Sequence, residues 1–213
     1  MAATLPDGAT VAIATTYGSN KTVSAITNAN PGVITSASHG LLNGAFYELK
    51  SGWQKINERI FKAANVATNA MDVTGIDTTD TNRYPTGSSS GTLREITAWT
   101  QIAQILDFTT NGGEQQFSNF AFLEEDFERQ LPTVTSAQSL QIGIADDPSL
   151  AGFIALKAAG EARAIRAIKV TLPNGSVILY NGYVSFNETP TLSKGNVMQV
   201  TATVSLQGRP VRY

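Results

Sequence analysis

Cysteine is absent from the 213 residues, and histidine occurs once, as His39. Without a thiol there is no disulfide, no thiolate nucleophile and no cysteine-ligated metal, and a single imidazole does not build the usual zinc sites. A Ser-His-Asp triad would have to be assembled around His39, yet there is no Gly-x-Ser-x-Gly elbow to present the nucleophile. The expectation for His39 is therefore a turn histidine bonded to nearby backbone. Glycine-rich turns such as Asn111-Gly112-Gly113 are not followed by a lysine and a helix, so they make no phosphate cradle. No motif calls for a cofactor or a metal, and an enzyme is not expected. Charge is also sparse, with 15% of residues charged against 42% hydrophobic. The surface must then be built mostly from Thr, Ser, Asn and Gln, which suits close contact between copies as well as an ordinary polar β protein. There is no basic run of the kind that holds phosphates by displacing counterions. Apolar runs fall short of the roughly 18 residues of a membrane span. The first residues lack a basic secretory segment, so the chain is expected to start in the cytoplasm of the cell that makes it, with no membrane partner.

What charge there is lies unevenly. Residues 1–95 hold seven acidic and seven basic side chains, residues 96–147 eight acidic and one basic, and residues 148–213 two acidic and seven basic. Either opposite faces meet when copies stack, or the two halves interdigitate and pair their charges internally.

Hydrophobic period supplies the elements. Asp147 and Pro148 read as the N-cap and first position of a helix, with Leu150, Phe153, Ile154 and Ala158 on its buried face and Gly160 at its end. The period then drops to 2: Ile168, Val170 and Leu172 alternate with Ala167, Lys169 and Thr171, Pro173-Asn174-Gly175 turns the chain, and Val177, Leu179, Val184 and Phe186 form a return strand interrupted at Asn181-Gly182. A loop from Thr189 to Asn196 precedes the cleanest alternation in the chain. There Met198, Val200, Ala202, Val204 and Leu206 share one face, and Gln199, Thr201, Thr203, Ser205 and Gln207 the other, as in an antiparallel strand with one side on a core and one wet. Val11 to Tyr17 is another strand, with Thr22 to Ile26 as its possible partner; Thr133 to Ile144 is a further one, and Trp99 to Asp107 reads as one strand, bulged or buried on both faces. Between them, Thr109 to Gln130 has no clean period but sets Phe117, Phe120, Phe122 and Phe127 beside Glu124, Glu125, Asp126 and Glu128. Four aromatics are costly to leave in water, so something must cover them. The acidic cluster reads as a solvated or interface patch, since its spacing does not match a calcium loop.

The helix, the Leu172-to-Gly175 LPNG turn, the long last strand, the closing Gly208-Arg209-Pro210 and the tryptophan-bearing stretch WTQIAQILD from Trp99 together resemble the tail-tube (major tail) proteins of long-tailed bacteriophages, over roughly Ile96 to Pro210. Thr4 to about Val23 would supply that domain's first strand. The segment from Ser24 to Glu95 resembles a small β module found in phage virion proteins, carried by Asn30-Pro31, Val33-Ile34-Thr35, His39-Gly40-Leu41, Asn43-Gly44, Ala64-Asn65-Val66 and the Gly87-to-Gly91 turn. The resemblance implies two packed antiparallel sheets with one flanking helix. It divides the chain into first strands of the tube domain (1–23), an inserted β domain on the outer surface (24–95) and the rest of the tube domain (96–213).

It further implies self-assembly into stacked hexameric rings, the virion's conduit for DNA ejection, with inner strands joined into one barrel. Phage DNA would pass without specific binding. Tape-measure, tail-terminator and tail-tip proteins would be partners, and assembly would take place in the host cytoplasm. In such a tube Phe117, Phe120, Phe122, Glu124, Glu125, Asp126, Phe127 and Glu128 would form the inter-ring stacking arm, the alternative being a hairpin or short helix folded on its own domain. Gln199, Thr201, Thr203, Ser205 and Gln207 would face the lumen. A different reading makes the protein a receptor- or glycan-binding virion component that acts through its module, where Phe46, Tyr47, Trp53 and Tyr84 could stack on sugars.

Overall fold

The computed structural model describes residues 7–213; the part of the expected first segment that falls on residues 1–6 lies outside the described residues. Sixteen strands and one helix follow one another. In order they are β1 (Thr10–Tyr17), β2 (Lys21–Val23), β3 (Ala25–Ile26), β4 (Gly32–Thr35), β5 (Phe46–Ser51), β6 (Arg59–Ala64), β7 (Ala70–Val73) and β8 (Gly91–Ile102). Next come β9 (Ile105–Asn111), β10 (Gln115–Phe120), β11 (Arg129–Thr135), β12 (Ser139–Ala145) and the helix α1 (Ala151–Ala162). The chain closes with β13 (Ile165–Thr171), β14 (Val177–Thr191), β15 (Gln199–Leu206) and β16 (Val211–Arg212). The fold is thus mainly β, with a large antiparallel sheet, a small second one and a single helix, as the periods predict.

Long strands bend the large sheet into layers. The first half of β14 pairs with β13, while its second half pairs with β15. An outer layer β8-β1-β13-β14 therefore passes directly into an inner layer β14-β15-β12-β9. Their facing sides form one core: Val11, Ile13, Ile168 and Val170 come from the outer layer, Leu140, Ile142, Val200, Ala202 and Val204 from the inner, and Phe153, Leu156 and Ala159 from α1. Burying a side chain of this size contributes about 1.5–3 kcal/mol.

A second core lies within residues 23–93, among them Tyr47, Trp53, Phe61 and Met71, and it also takes in Val211 from the chain's last strand. β8 links the two: its start pairs with β5 and its end with β1. At the elbow Ala14, Ile96, Ala167, Leu179 and Ile60 form a third cluster with Trp99 and Phe46 against it, so the outer layer is buried on both faces. Lys169 lies there, its ammonium 4.7 Å from the Trp99 ring centre and 5.2 Å from that of Phe46. Burial pushes its pKa below the ordinary lysine value.

Several local expectations fail for identifiable reasons. Leu150, not Asp147, caps the helix. The Asp147 carboxylate instead accepts from the Ser149 hydroxyl and amide at 2.6 and 3.0 Å, closing a turn ahead of the helix and lowering its own pKa. Pro148 accordingly sits before the helix, and Gly160 lies inside it; the chain leaves through Arg163 in the left-handed region. The buried helix face is Gly152, Phe153, Leu156 and Ala159, leaving Ile154 and Ala158 exposed. Trp99 to Asp107 is two strands, broken where Gln104 takes φ 55° and the chain crosses from the outer to the inner layer. Thr133 to Ile144 is likewise the end of β11 and most of β12. β2, which overlaps the start of the expected Thr22-to-Ile26 strand, pairs with β8 rather than β1.

β14 is not interrupted at Asn181-Gly182, nor does it stop at Thr189. Asn181 is used inside the sheet as a buried donor to Glu48 Oε1 at 3.1 Å. Gly182 lets Ser205 approach, since a Cβ there would lie 2.3 Å from that carbonyl oxygen. Met198, expected on the core face, is half exposed just ahead of β15.

Candidate assembly surfaces

The outward face of the inner layer is read from the pairing register, because residues directly opposed on antiparallel strands share a side. Gln199, Thr201, Thr203 and Ser205 lie on it, while Val200, Ala202 and Val204 between them enter the core. Gln207 is past the end of β15, and its amide bonds the Asn181 carbonyl at 2.9 Å. Ser205, Thr203 and Thr201 face Tyr183, Ser185 and Asn187 on β14, and Ser139, Gln141 and Gly143 on β12. Those last three face Asn111, Thr109 and Asp107 on β9. Four of the five expected residues, all but Gln207, thus form one row of a polar surface four strands wide. Only Asp107 on it carries charge, and its carboxylate is held across Gly143 by the Gln199 amide at 2.6 Å. A single sequence did not reveal β9 and β12 as neighbours of β15, because pairing partners carry no local signal.

Both sides of this layer are open edges among the described residues. β9 ends the pairing path, and β14 beyond Tyr183 has β15 on one side only. β9 carries neither proline nor lysine, the usual protections of a lone edge, and the outer half of β14 carries proline only near its end, at Pro190.

The Phe-and-acid segment becomes a two-stranded hairpin, β10 with β11, that pairs with neither layer. Gly112 and Gly113, with φ 77° and 85°, turn the chain out of β9 into it, a conformation that side chains resist. Phe117, Phe122, Leu123 and Phe127 are exposed, Leu123 completely, together with Leu131 and Val134. Phe120 stacks edge-on against Phe122 at 5.5 Å, and Arg129 spans from the Glu125 carboxylate at 2.5 Å to the Phe122 ring. Glu124, Asp126 and Glu128 enter no ion pair within the tip. The hairpin contributes to none of the hydrophobic clusters, and its base meets the rest of the chain where Arg209 donates to the Thr135 hydroxyl at 3.2 Å. Nor do the acidic and basic halves of the chain neutralise each other. Among the described residues no salt bridge joins 96–147 to 148–213.

His39 donates from Nε2 to the Ala67 carbonyl at 2.9 Å and accepts the Leu41 amide on Nδ1 at 3.1 Å, the local role expected of it. A cleft of about 680 Å³ at the base of the hairpin has Arg209 as its one ionisable lining residue, which offers no acid–base pair. Among the described residues no cluster of His, Asp and Glu could hold a metal, and no helix is long and apolar enough to cross a membrane. The proposed sugar-stacking aromatics are internal: Tyr47, Trp53 and Tyr84 are buried, with Trp53 Nε1 bonded to the Pro85 carbonyl at 2.7 Å. Phe46 packs edge-on against Trp99. That overturns the aromatic platform as a basis for glycan binding.

Solved structures that match include a chain of the cryo-EM structure of the anti-feeding prophage baseplate, 6-fold symmetrised, with 11% identity and a TM-score of 0.40 over 55% of this chain and 85% of that one. No curated relative matches. A family profile described as phage tail tube protein, TTP, matches residues 51–213. With most of its length under that profile, the chain belongs to the phage tail tube protein family, a structural component of phage tails rather than a class of enzyme.

Proposed function

We propose that this subunit closes into hexameric rings that stack head to tail into a tail tube, with the inner layer forming the channel wall. The observation that carries the reading is the four-strand face around Thr201 and Thr203: polar, almost free of charge, backed by a core and bounded by two open edges. Pairing β9 of one copy with the outer half of β14 in the next would satisfy both edges and continue the wall around a ring. Such a wall lets DNA slide, because phosphate binding needs clustered Lys and Arg and this face has neither. The hairpin then serves as the arm between rings. Residues 24–95 form an inserted domain on the outer side, since they sit on the outer layer, away from the channel face. Tape-measure, terminator and tip proteins are the partners that kinship suggests within the virion, and assembly takes place in the host cytoplasm.

Negative-stain microscopy of purified protein tests this directly. Hollow filaments or six-fold rings are expected from the wild type. Deleting 118–128 should leave a folded monomer with unchanged far-ultraviolet circular dichroism and no filaments. Normal filaments from the deletion would remove the arm from the stacking contact, and strictly monomeric wild type at high concentration would overturn the tube.

A further inference from the structure

The exposed large apolar side chains are not scattered. Six belong to the hairpin arm; five others are Leu106, Ile154, Leu192, Val197 and Met198, and only Leu42 and Tyr183 stand apart. Leu106, Leu192, Val197 and Met198 mark one pole of the inner layer, and Ile154 lies in the first turn of the helix that follows β12 there. There the Gln104 carbonyl accepts the Ala145 amide at 3.0 Å and the Met198 carbonyl accepts the Asp146 amide at 2.9 Å. The β8–β9 crossover, the approach to α1 and the 192–198 loop therefore converge. The arm departs from the opposite pole, where Asn111 pairs with Ser139 and Ser139 with Ser205. Between the poles run the strands of the inner layer, about 20 Å of extended chain at ~3.3 Å per residue.

Two unlike apolar patches at opposite ends of one sheet do not meet within a copy. A two-fold dimer would set each against itself, whereas contact between unlike patches is heterologous and repeats along one direction. We infer that the arm of one subunit seats on the pole formed by Leu106, Ile154, Leu192, Val197 and Met198 of the next subunit along the tube. This rests on the tube reading and adds the surface that receives the arm. The occupant is a second copy because the chain itself supplies both patches, at the two ends that head-to-tail stacking brings together. Charge plays a smaller part. Lys194 at the pole can meet Glu124, Asp126 or Glu128 at the arm tip, but Asp146 and Asp147 lie beside it. The contact is held chiefly by apolar area.

The absence of cysteine makes the test clean. Chains carrying L123C and M198C together are assembled and treated with a short bis-maleimide, with L123C/L42C as the control. The expected result is a ladder of covalent multimers from the first pair and monomer from the control. Filaments in which neither pair links, or both link equally, overturn the inferred seat while leaving the tube intact. A wild type that forms no filaments overturns both. Should the double variant fail to assemble, amide hydrogen exchange on the wild type decides. Residues 192–198 are expected to gain protection together with 117–131 on assembly, and protection of the arm alone overturns the inference.

Discussion

Glu48 is the side chain on which the junction of the two cores depends. It is almost fully buried and ion-paired with Arg94, it accepts from Asn181, and Asn181 also bonds the Glu58 carbonyl at 3.0 Å. The Arg94 guanidinium in turn lies 4.1 Å from the centre of the Tyr17 ring, whose hydroxyl accepts the Ala167 amide at 2.9 Å. Residues from β1, β5, β8, β13 and β14 are thus tied through one buried carboxylate. Removing one partner of such a pair leaves an uncompensated buried charge, which costs more than the pair itself contributes. Replacing Arg94 with Met should therefore destabilise the protein by about 2–4 kcal/mol, toward the lower side of that range's origin in fully buried pairs because Arg94 is partly exposed. Glu48→Gln combined with Arg94→Met should recover much of the loss. Urea unfolding of the two variants measures this, and equal losses would show that the charge is not what matters.

Among the elements, β16 has a larger role than its two residues suggest. It pairs with β14, places Val211 in the core of residues 23–93, and brings the Tyr213 hydroxyl to the Lys62 amide at 3.1 Å. Arg59 donates to the Arg209 carbonyl at 3.0 Å across the same seam. Deleting 211–213 should cost about 3 kcal/mol, on the scale of burying one large apolar side chain with its bonds. Limited proteolysis should then cut first within 24–95, and cuts spread evenly over the chain would argue against the latch. None of this was legible in the sequence, where VRY at the terminus carries no periodic signal. The β15 strand was legible because it has one face on a core and one in water; β13 was legible because Ile168 and Val170 alternate with Lys169 and Thr171, although both its faces are covered. The helix was legible but its phase was not: AGFIALKAAGEA is apolar or small nearly all round, so Ile154 and Phe153 compete for the inside. The Gln104 break carried no glycine, proline or asparagine to announce it. At the arm, the sequence disclosed that its aromatics need cover, but not that the cover is missing within the chain.

For the whole molecule, the distribution of charge bears on the proposed passage of DNA. The basic residues lie away from the inner face, several of them occupied: Lys169 over two rings, Arg166 over Tyr17, and Lys157 paired with Glu188. In the proposed hexameric ring, Thr201→Lys with Thr203→Lys would place twelve cations in the channel without touching the core. Tubes of this variant are expected to form and to retain duplex DNA, with an affinity that falls steeply between 50 and 200 mM salt, by about three orders of magnitude if some six phosphates are engaged. Wild-type tubes should retain none, and DNA retention measured by co-sedimentation separates the two.

β14 gives the assembly one more property. Because the same fifteen residues serve both layers, in the proposed tube the wall around the bore and the shell outside it would not be two sleeves free to slip past each other. Flexing one must flex the other through covalent backbone, so a bend in the filament would be met by the full thickness of the subunit, as in a laminate stitched through rather than glued.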